Sequence, residues 1–369
     1  MSERWIAERT TRIEASGIRK VFELAKDLRD PVNLSIGLPD FDVPEPVKIA
    51  AKNAIDAGQN RYTITQGIPE LRGVIDAYLR ETYPEQTRQT LITSGTSGGL
   101  LMALMATINP GDEVILFDPY FVSYPHLVTM VGGVSVVLDT YPDFRIDMDQ
   151  VAAAITPRTK AILFSSPSNP TGVTIPPSTL RQLAELCHER DILIISDEIY
   201  RVFTYDEPFA SIVEFAPDAI AVDGFGKSSG MTGWRIGFAH GPQAIIEEMT
   251  KLQQFTFVCA PSMVQHAAVE AWSLPTEQTI ARYRAKRDRV IEGLNERFEM
   301  VVPGGAFYLF PKSPWGTGSE FVHEAIRNNL LIIPGIVFGK RDSHFRISYA
   351  ASDDMLDRGI EILNRIARK

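Results

Sequence analysis

Seven short apolar or β-branched runs follow one another in the middle of this chain: Leu91 to Thr93, Glu113 to Phe117, Val134 to Leu138, Ala161 to Ser165, Leu193 to Ser196, Ala219 to Val222 and Arg235 to Ala239. Helical patterns separate most of them, notably Gly98 to Ile108 and Pro177 to Arg190, and another, Pro242 to Gln254, follows the last. Strands joined through helices need crossover connections, and crossovers build a mostly parallel sheet flanked by helices on both faces. The predicted fold class is therefore α/β. In such folds ligands gather at the carboxyl edge of the strands.

A helix is predicted over residues 1–30, with Ile13, Ile18, Val21, Phe22, Leu24, Ala25 and Leu28 on one face, until Asp30-Pro31 stops it. Asn33 to Phe41 is a turn-rich link, Pro46 to Ala57 and Glu70 to Tyr83 are helices, and Arg61 to Glu70 is a loop. Past about Trp272 the texture changes to a long charged helix (Thr276 to Phe298), the turn Pro303-Gly304-Gly305 and the run Ala306 to Phe310. Short strands at Leu331 to Pro334 and Phe345 to Ser348 follow, with helices at Ser319 to Asn328 and Asp353 to Arg368. The expected organisation is a large α/β domain over 41–272 and a smaller α+β domain over 273–369. Residues 1–40 are expected to pack with the smaller domain.

The segment after the sixth run, Gly224-Phe225-Gly226-Lys227-Ser228-Ser229-Gly230-Met231-Thr232-Gly233-Trp234-Arg235-Ile236-Gly237, sets one lysine and one arginine among glycines. Glycine lets a backbone approach a ligand closely, and a partly desolvated lysine loses pKa until its neutral amine can attack an aldehyde and form a Schiff base. Other strand ends carry their own polar groups. The first run leads into Gly95, Thr96 and Ser97 at a helix start, a geometry that suits a phosphate. The second leads to Tyr120 and Phe121, the fourth to Asn169-Pro170-Thr171-Gly172, and the fifth to Asp197-Glu198-Ile199-Tyr200. Taken singly, each has an ordinary structural explanation: a helix cap, a β-turn, a core aromatic, a surface ion pair. Those explanations do not account for their falling at successive strand ends of one sheet.

Together the residue types fit pyridoxal 5'-phosphate. Lys227 meets its aldehyde, Thr96, Ser97 and Arg235 meet its phosphate, and Asp197 keeps its ring nitrogen protonated. Asn169 and Tyr200 donate to its phenolate, and Phe121 lies against its ring.

Composition narrows the alternatives. A net charge of −9 gives no general attraction to nucleic acid or an anionic membrane, so any anion must meet a local positive site. Cys187 and Cys259 have neither metal-ligand spacing nor the density of a disulfide framework, and a reducing compartment is the simpler expectation. No apolar signal-like run opens the chain and no stretch is long enough to span a bilayer, which points to a cytoplasmic protein that needs no metal.

On the anchors Asn33 to Phe41, Tyr62 to Arg72, Ser94 to Gly99, Asp118 to Tyr124, Ser168 to Gly172, Ser196 to Tyr200, Lys227 to Gly237 and Phe345 to Ala350, the chain resembles the class I/II aminotransferases. These are pyridoxal-phosphate enzymes of fold type I, and the branch includes aspartate, aromatic and kynurenine aminotransferases. The resemblance implies that Lys227 is the Schiff-base lysine, Asp197 the partner of the ring nitrogen, Asn169 and Tyr200 the phenolate donors and Arg235 the phosphate arginine. It further implies a homodimer in which Tyr62 reaches the neighbour's phosphate, Arg346 as the clamp on the substrate α-carboxylate, and Gly37 beside the substrate. One departure stands out: Gly224 occupies a position where many relatives carry a hydroxyl near the phosphate, leaving Ser228 or backbone to supply that contact.

The implied reaction is transfer of an amino group from an L-amino acid, whether aromatic, aliphatic or aspartate, to a 2-oxo acid by a ping-pong mechanism. Phe22, Phe121, Tyr124, Phe255 and Phe257 are candidates for an apolar side-chain pocket, and Arg12 and Arg61 for a cation that would meet an acidic one. Two other enzymes could use the same lysine and aspartate, a C–S β-lyase and a cyclopropane-forming synthase. From another class, a non-catalytic pyridoxal-phosphate sensor is the alternative.

Overall fold

The computed structural model describes residues 3–14, 17 and 28–368. Seven strands, β1 (Gln89–Thr93), β2 (Glu113–Asp118), β3 (Val134–Asp139), β4 (Thr159–Ser165), β5 (Leu193–Asp197), β6 (Ile220–Gly224) and β7 (Gly237–Gly241), form one sheet in the order β1-β7-β6-β5-β4-β2-β3. The strands β2 to β6 pair in parallel, and only β7 runs against its neighbours β6 and β1. Val114, Ile115, Leu116, Ala161, Ile162 and Leu163 are all fully buried, as expected of strands covered on both faces. The α/β expectation holds.

Two local expectations shift. The strand predicted from Arg235 starts only at Gly237, because Arg235 sits in the left-handed region (φ 55°, ψ 51°) at the end of a 3-10 turn, Thr232–Trp234. The second shift concerns Gly224. A Cβ there would lie 2.9 Å from Gly237 Cα and 3.1 Å from the Ile236 carbonyl oxygen, so β6 and β7 approach too closely at that point for a side chain. A hydroxyl residue is thus shut out of position 224 by sheet packing.

The helix Gly95–Thr107 is apolar nearly all round, because the sheet covers one side and the helix Gln243–Gln254 another. It follows β1 directly and its first turn opens at the carboxyl edge. Helices Glu45–Asp56 and Ser262–Ser273 pack on each other.

The C-terminal part holds the helix Glu277–Leu294 and a three-stranded antiparallel sheet in the order Ile333–Pro334, Phe345–Ser348, Tyr308–Leu309. The strand predicted over Leu331 to Pro334 divides in two: Leu330–Leu331 pairs in parallel with Val32–Asn33, while Ile333–Pro334 turns to pair with Phe345–Ser348. Thr317 and Glu320 cap the helix Gly318–Arg327 reciprocally, which explains its sharp start.

Val32 and Leu34 share a core with Tyr283, Phe307, Phe345 and Ile347. Tyr200 and Phe203, from the loop after β5, also enter that core rather than the one under the sheet. That loop therefore fastens the sheet's carboxyl edge to the C-terminal layer.

The helix predicted over 1–30 is not continuous from the start. A 3-10 turn at Glu3–Trp5 precedes a single helical turn, Glu8–Thr11, where the hydroxyls of Thr10 and Thr11 bond the carbonyls of Ala7 and Glu8. Ile18, Val21, Phe22, Leu24 and Ala25 lie outside the described residues.

Candidate active site

The parallel register sets Ser165 of β4 and Val222 of β6 on either side of Asp197 at the end of β5. Above this edge lies a cavity of about 360 Å³, within the range of roughly 300–1,000 Å³ usual for small-molecule sites. Gly37, Gly95, Thr96, Ser97, Phe121, Asn169, Asp197, Tyr200, Lys227, Arg235 and Arg346 all line it. Of the site residues predicted from the sequence, Tyr62 alone stands apart, 84% exposed on the surface.

Asp197 forms one wall. Tyr124 donates its hydroxyl hydrogen to Asp197 Oδ2 at 3.0 Å, and the Ile199 amide donates to Oδ1 at 3.3 Å. Burial raises the carboxyl to about 6; these two hydrogen bonds and the Lys227 charge pull it down, while Asp223 pushes it up. Near neutral pH it is an anion held in an apolar setting. Such a group asks for a cationic partner across the cavity.

Lys227 sits in the short helix Phe225–Ser228 just past β6. Its ammonium donates to the Gly37 carbonyl at 2.6 Å. The packed surroundings bring its pKa down to about 8, helped by Arg346 and Arg235 and opposed by Asp197. A neutral amine is thus accessible close to physiological pH, as a nucleophile or a base requires.

Arg346 is 2% exposed and has no ion-pair partner among the described residues. Its two terminal nitrogens donate to Asn169 Oδ1 at 2.9 Å and to the Ser35 carbonyl at 2.6 Å, and its Nε has no partner among the described residues. The rings of Tyr308 and Phe338 hold the guanidinium on two sides, at 4.5 and 4.7 Å from their centroids. Burying a cation without a counter-ion costs several kcal/mol. This group is placed for a carboxylate that comes from outside the chain.

At the opposite end, Gly95 (φ +67°) opens the helix Gly95–Thr107, and a Cβ there would lie 2.7 Å from Arg235 Nη2. The left-handed turn at Arg235 presses its guanidinium against the backbone of that first turn. A helix N-terminus with a guanidinium beside it and the Thr96 and Ser97 hydroxyls at hand is a cradle for a phosphate. Ser228, expected to replace a hydroxyl at position 224, does not line the cavity; Thr232, which the sequence did not single out, does.

The lining carries three cations, Lys227, Arg235 and Arg346, against the single carboxylate of Asp197. Among the described residues no group of three or more His, Cys, Asp or Glu is placed to hold a metal. The donor set fits pyridoxal 5'-phosphate from end to end: phosphate cradle, amine, ring partner, and an orphaned guanidinium for the carboxylate of a second molecule.

Some side-chain pocket candidates do not reach the cavity. Phe255, 83% exposed, and Phe257 do not line it, and Phe22 lies outside the described residues, which leaves Phe121 and Tyr124. Arg12 is paired with Glu8 at 3.1 Å and Arg61 is exposed, so neither brings a cation to the cavity of its own chain.

Tyr308 and the hydrogen-bonding part of Tyr124 were not foreseen from the sequence. Tyr308 looks like one more aromatic in the run Ala306 to Phe310, and only its pairing with Ser348, which brings its ring to the Arg346 guanidinium, reveals it.

The family model for aminotransferase class I and II matches residues 29–363. The chain is 36% identical to a probable aspartate aminotransferase of Methanocaldococcus jannaschii, covering 98% of this chain and 99% of that one. It is 33% identical to an aromatic-amino-acid aminotransferase of Thermococcus litoralis, covering 99% and 98% respectively. The solved aspartate aminotransferase of Thermotoga maritima superposes with a TM-score of 0.94 at 32% identity, over 99% of this chain and 100% of that one.

Proposed function

The chain belongs to the class I and II aminotransferases, pyridoxal-phosphate-dependent enzymes, and on that premise we propose that it transfers the amino group of a neutral, apolar or aromatic L-amino acid to a 2-oxo acid such as 2-oxoglutarate. The observation that carries the donor preference is the charge of the cavity. Its three cations are each engaged: Lys227 with the cofactor aldehyde, Arg235 with the phosphate and Arg346 with the substrate α-carboxylate. Among the described residues none remains in the chain's own site for a second carboxylate. Ile36, Leu38 and Phe121 instead offer apolar surface.

When bound, pyridoxal 5'-phosphate supplies an aldehyde that accepts the amino group and a ring that accepts the electron pair left at the substrate Cα. The remaining work falls to side chains of this protein. Arg346 and Asn169 orient the α-carboxylate, and the planar guanidinium can do so through two parallel hydrogen bonds. Asp197, oriented by Tyr124, keeps the ring nitrogen protonated. Tyr200 and Asn169 would donate to the ring oxygen, Phe121 would lie against the ring, and Gly95, Thr96, Ser97 and Arg235 would hold the phosphate. Lys227, with a pKa of about 8, would take the proton from Cα and return it to the cofactor carbon on the far side of the transferred nitrogen. Gly37 lies beside the substrate and its carbonyl holds Lys227 in readiness.

We read the working form as a homodimer with shared sites. Tyr62, Ile64, Phe255, Phe257 and Val258 are exposed apolar side chains, and Phe257 lies near Gly98 in the helix that begins at the phosphate cradle. A second copy seated there would bury them and bring its Tyr62 toward the phosphate. Residues 41–272 form the body of each protomer in this reading, and 1–40 with 273–369 the smaller part that closes on it. The two described cysteines are both free, which supports a cytoplasmic setting.

A panel of amino donors with 2-oxoglutarate tests the proposal. Phenylalanine, tyrosine, leucine or alanine should outpace aspartate, and aspartate far ahead of all of them would overturn the donor assignment. Pyruvate and ammonia released from cystathionine with no oxo acid present would favour the lyase instead.

A further inference from the structure

Tyr308 is fully buried, yet the sequence marks it as nothing more than a core aromatic. Three site residues converge on it. Its hydroxyl lies 2.7 Å from that of Tyr200, its ring faces the Arg346 guanidinium at 4.5 Å, and a Cβ at Gly37 would come within 2.3 Å of its oxygen. Its backbone is fixed by antiparallel pairing with Ser348, two residues beyond Arg346.

The hydroxyl pair has a direction problem that geometry can solve. Two hydroxyls share one hydrogen bond, and neither has another partner among the described residues. If Tyr200 donates to Tyr308, the Tyr200 proton is used within the protein and the Tyr308 proton is left for the part of the cavity that Tyr308 itself lines. If Tyr308 donates, the Tyr200 proton is left to point into the cavity that Tyr200 lines. A ligand oxygen accepting from Tyr200 selects the second arrangement. Burial keeps both phenols protonated, and the charged groups facing the pair are Arg346, Asp197 and Lys227.

We propose that Tyr308 is a positioning residue with two separable tasks: its hydroxyl donates to Tyr200 and so directs the Tyr200 proton to the ring oxygen of bound pyridoxal phosphate, while its ring, facing Arg346, holds the guanidinium flat for the substrate carboxylate. The proposal rests on the roles given above to Tyr200 and Arg346. A Tyr200 that receives a hydrogen bond is a stronger donor, because adjoining bonds polarise one another. A stronger donor stabilises the ring phenolate and lowers the pKa of the lysine-bound chromophore.

The test is a spectrophotometric pH titration of the chromophore in the purified holoenzyme, with KM for the amino donor measured alongside. Tyr308→Phe removes the hydroxyl and keeps the ring; it should raise the chromophore pKa by about 0.5 and leave KM within about twofold. Tyr200→Phe should raise the chromophore pKa further, and adding Tyr308→Phe to it should change nothing more, since Tyr308 acts through Tyr200. Tyr308→Leu removes the ring and should raise KM about tenfold, with circular dichroism showing that the fold survives. A wild-type-like titration for Tyr308→Phe, or pKa changes that simply add in the double variant, would overturn the hydroxyl's task. Unchanged KM in Tyr308→Leu would overturn the ring's. Absence of any lysine-bound chromophore in the unaltered protein would overturn both this proposal and the site assignment beneath it.

Discussion

The ammonium of Lys227 donates to the carbonyl oxygen of Gly37 at 2.6 Å. One partner lies just beyond the end of a central strand, and the other belongs to the link whose Val32 and Leu34 pack into the C-terminal core. The reactive amine is thus held between the two layers of the fold.

Because the pKa of Lys227 is brought down to about 8, the cofactor-free protein should capture pyridoxal phosphate at a rate that rises with pH and levels off above about 8. Asp197 opposes that depression, so Asp197→Asn should move the midpoint lower. Stopped-flow absorbance at a series of pH values measures both, and a midpoint near the ordinary lysine value of 10.5 would contradict the assignment.

Asp197 carries a raised pKa, about 6 against an ordinary 3.8. A carboxyl whose folded pKa is raised lends stability that is fully present below the unfolded value and is lost as pH climbs through the folded one. The cofactor-free protein should therefore lose stability between pH 4 and 6, by an amount on the order of 3 kcal/mol from this residue. Asp197→Asn should make that part of the curve shallower. Glu198, raised by burial from 4.5 to about 7, remains in the variant and keeps a residual slope across that range. Thermal melts of both proteins across that window provide the check.

Arg346→Lys keeps a positive charge but loses the planar fork and the contact of a flat cation with Tyr308 and Phe338. KM for the amino donor should rise roughly 10- to 100-fold, with less effect on cofactor uptake. Steady-state kinetics together with a cofactor titration separate the two.

Gly37→Ala would place a Cβ 2.3 Å from the Tyr308 hydroxyl oxygen. The link or the tyrosine must move, and kcat/KM should fall about tenfold or more. Adding Tyr308→Phe deletes the obstructing atom and should recover part of that loss. A double variant worse than either single one would show that the damage lies elsewhere.

The sheet was legible in the sequence because buried parallel strands are unbroken apolar runs, as Val114 to Leu116 and Ala161 to Leu163 show, and that signal does not depend on distant partners. The positions of Asp197, Asn169 and Lys227 followed from it, since a residue just past a strand end is carried to the same edge. Arg235 was harder: its left-handed backbone belongs to a turn where the sequence suggested a strand, and its approach to Gly95 depends on that turn. Tyr308 was not legible at all. Its role arises from pairing between segments far apart in the chain, and no local pattern separates it from Phe307 or Phe310. The reason for glycine at 224 was not legible either, because the neighbour that crowds a side chain there is Gly237 on the next strand.

The central claim is that pyridoxal phosphate is held covalently at Lys227 and reacts there. Borohydride reduction of the cofactor-loaded protein, followed by peptide mass mapping, tests it most directly, with Lys227→Ala assayed in parallel. The account predicts a single pyridoxyl label on Lys227, and a variant with no lysine-bound chromophore and almost no turnover. A label on another lysine, or turnover that survives the loss of Lys227, would contradict it.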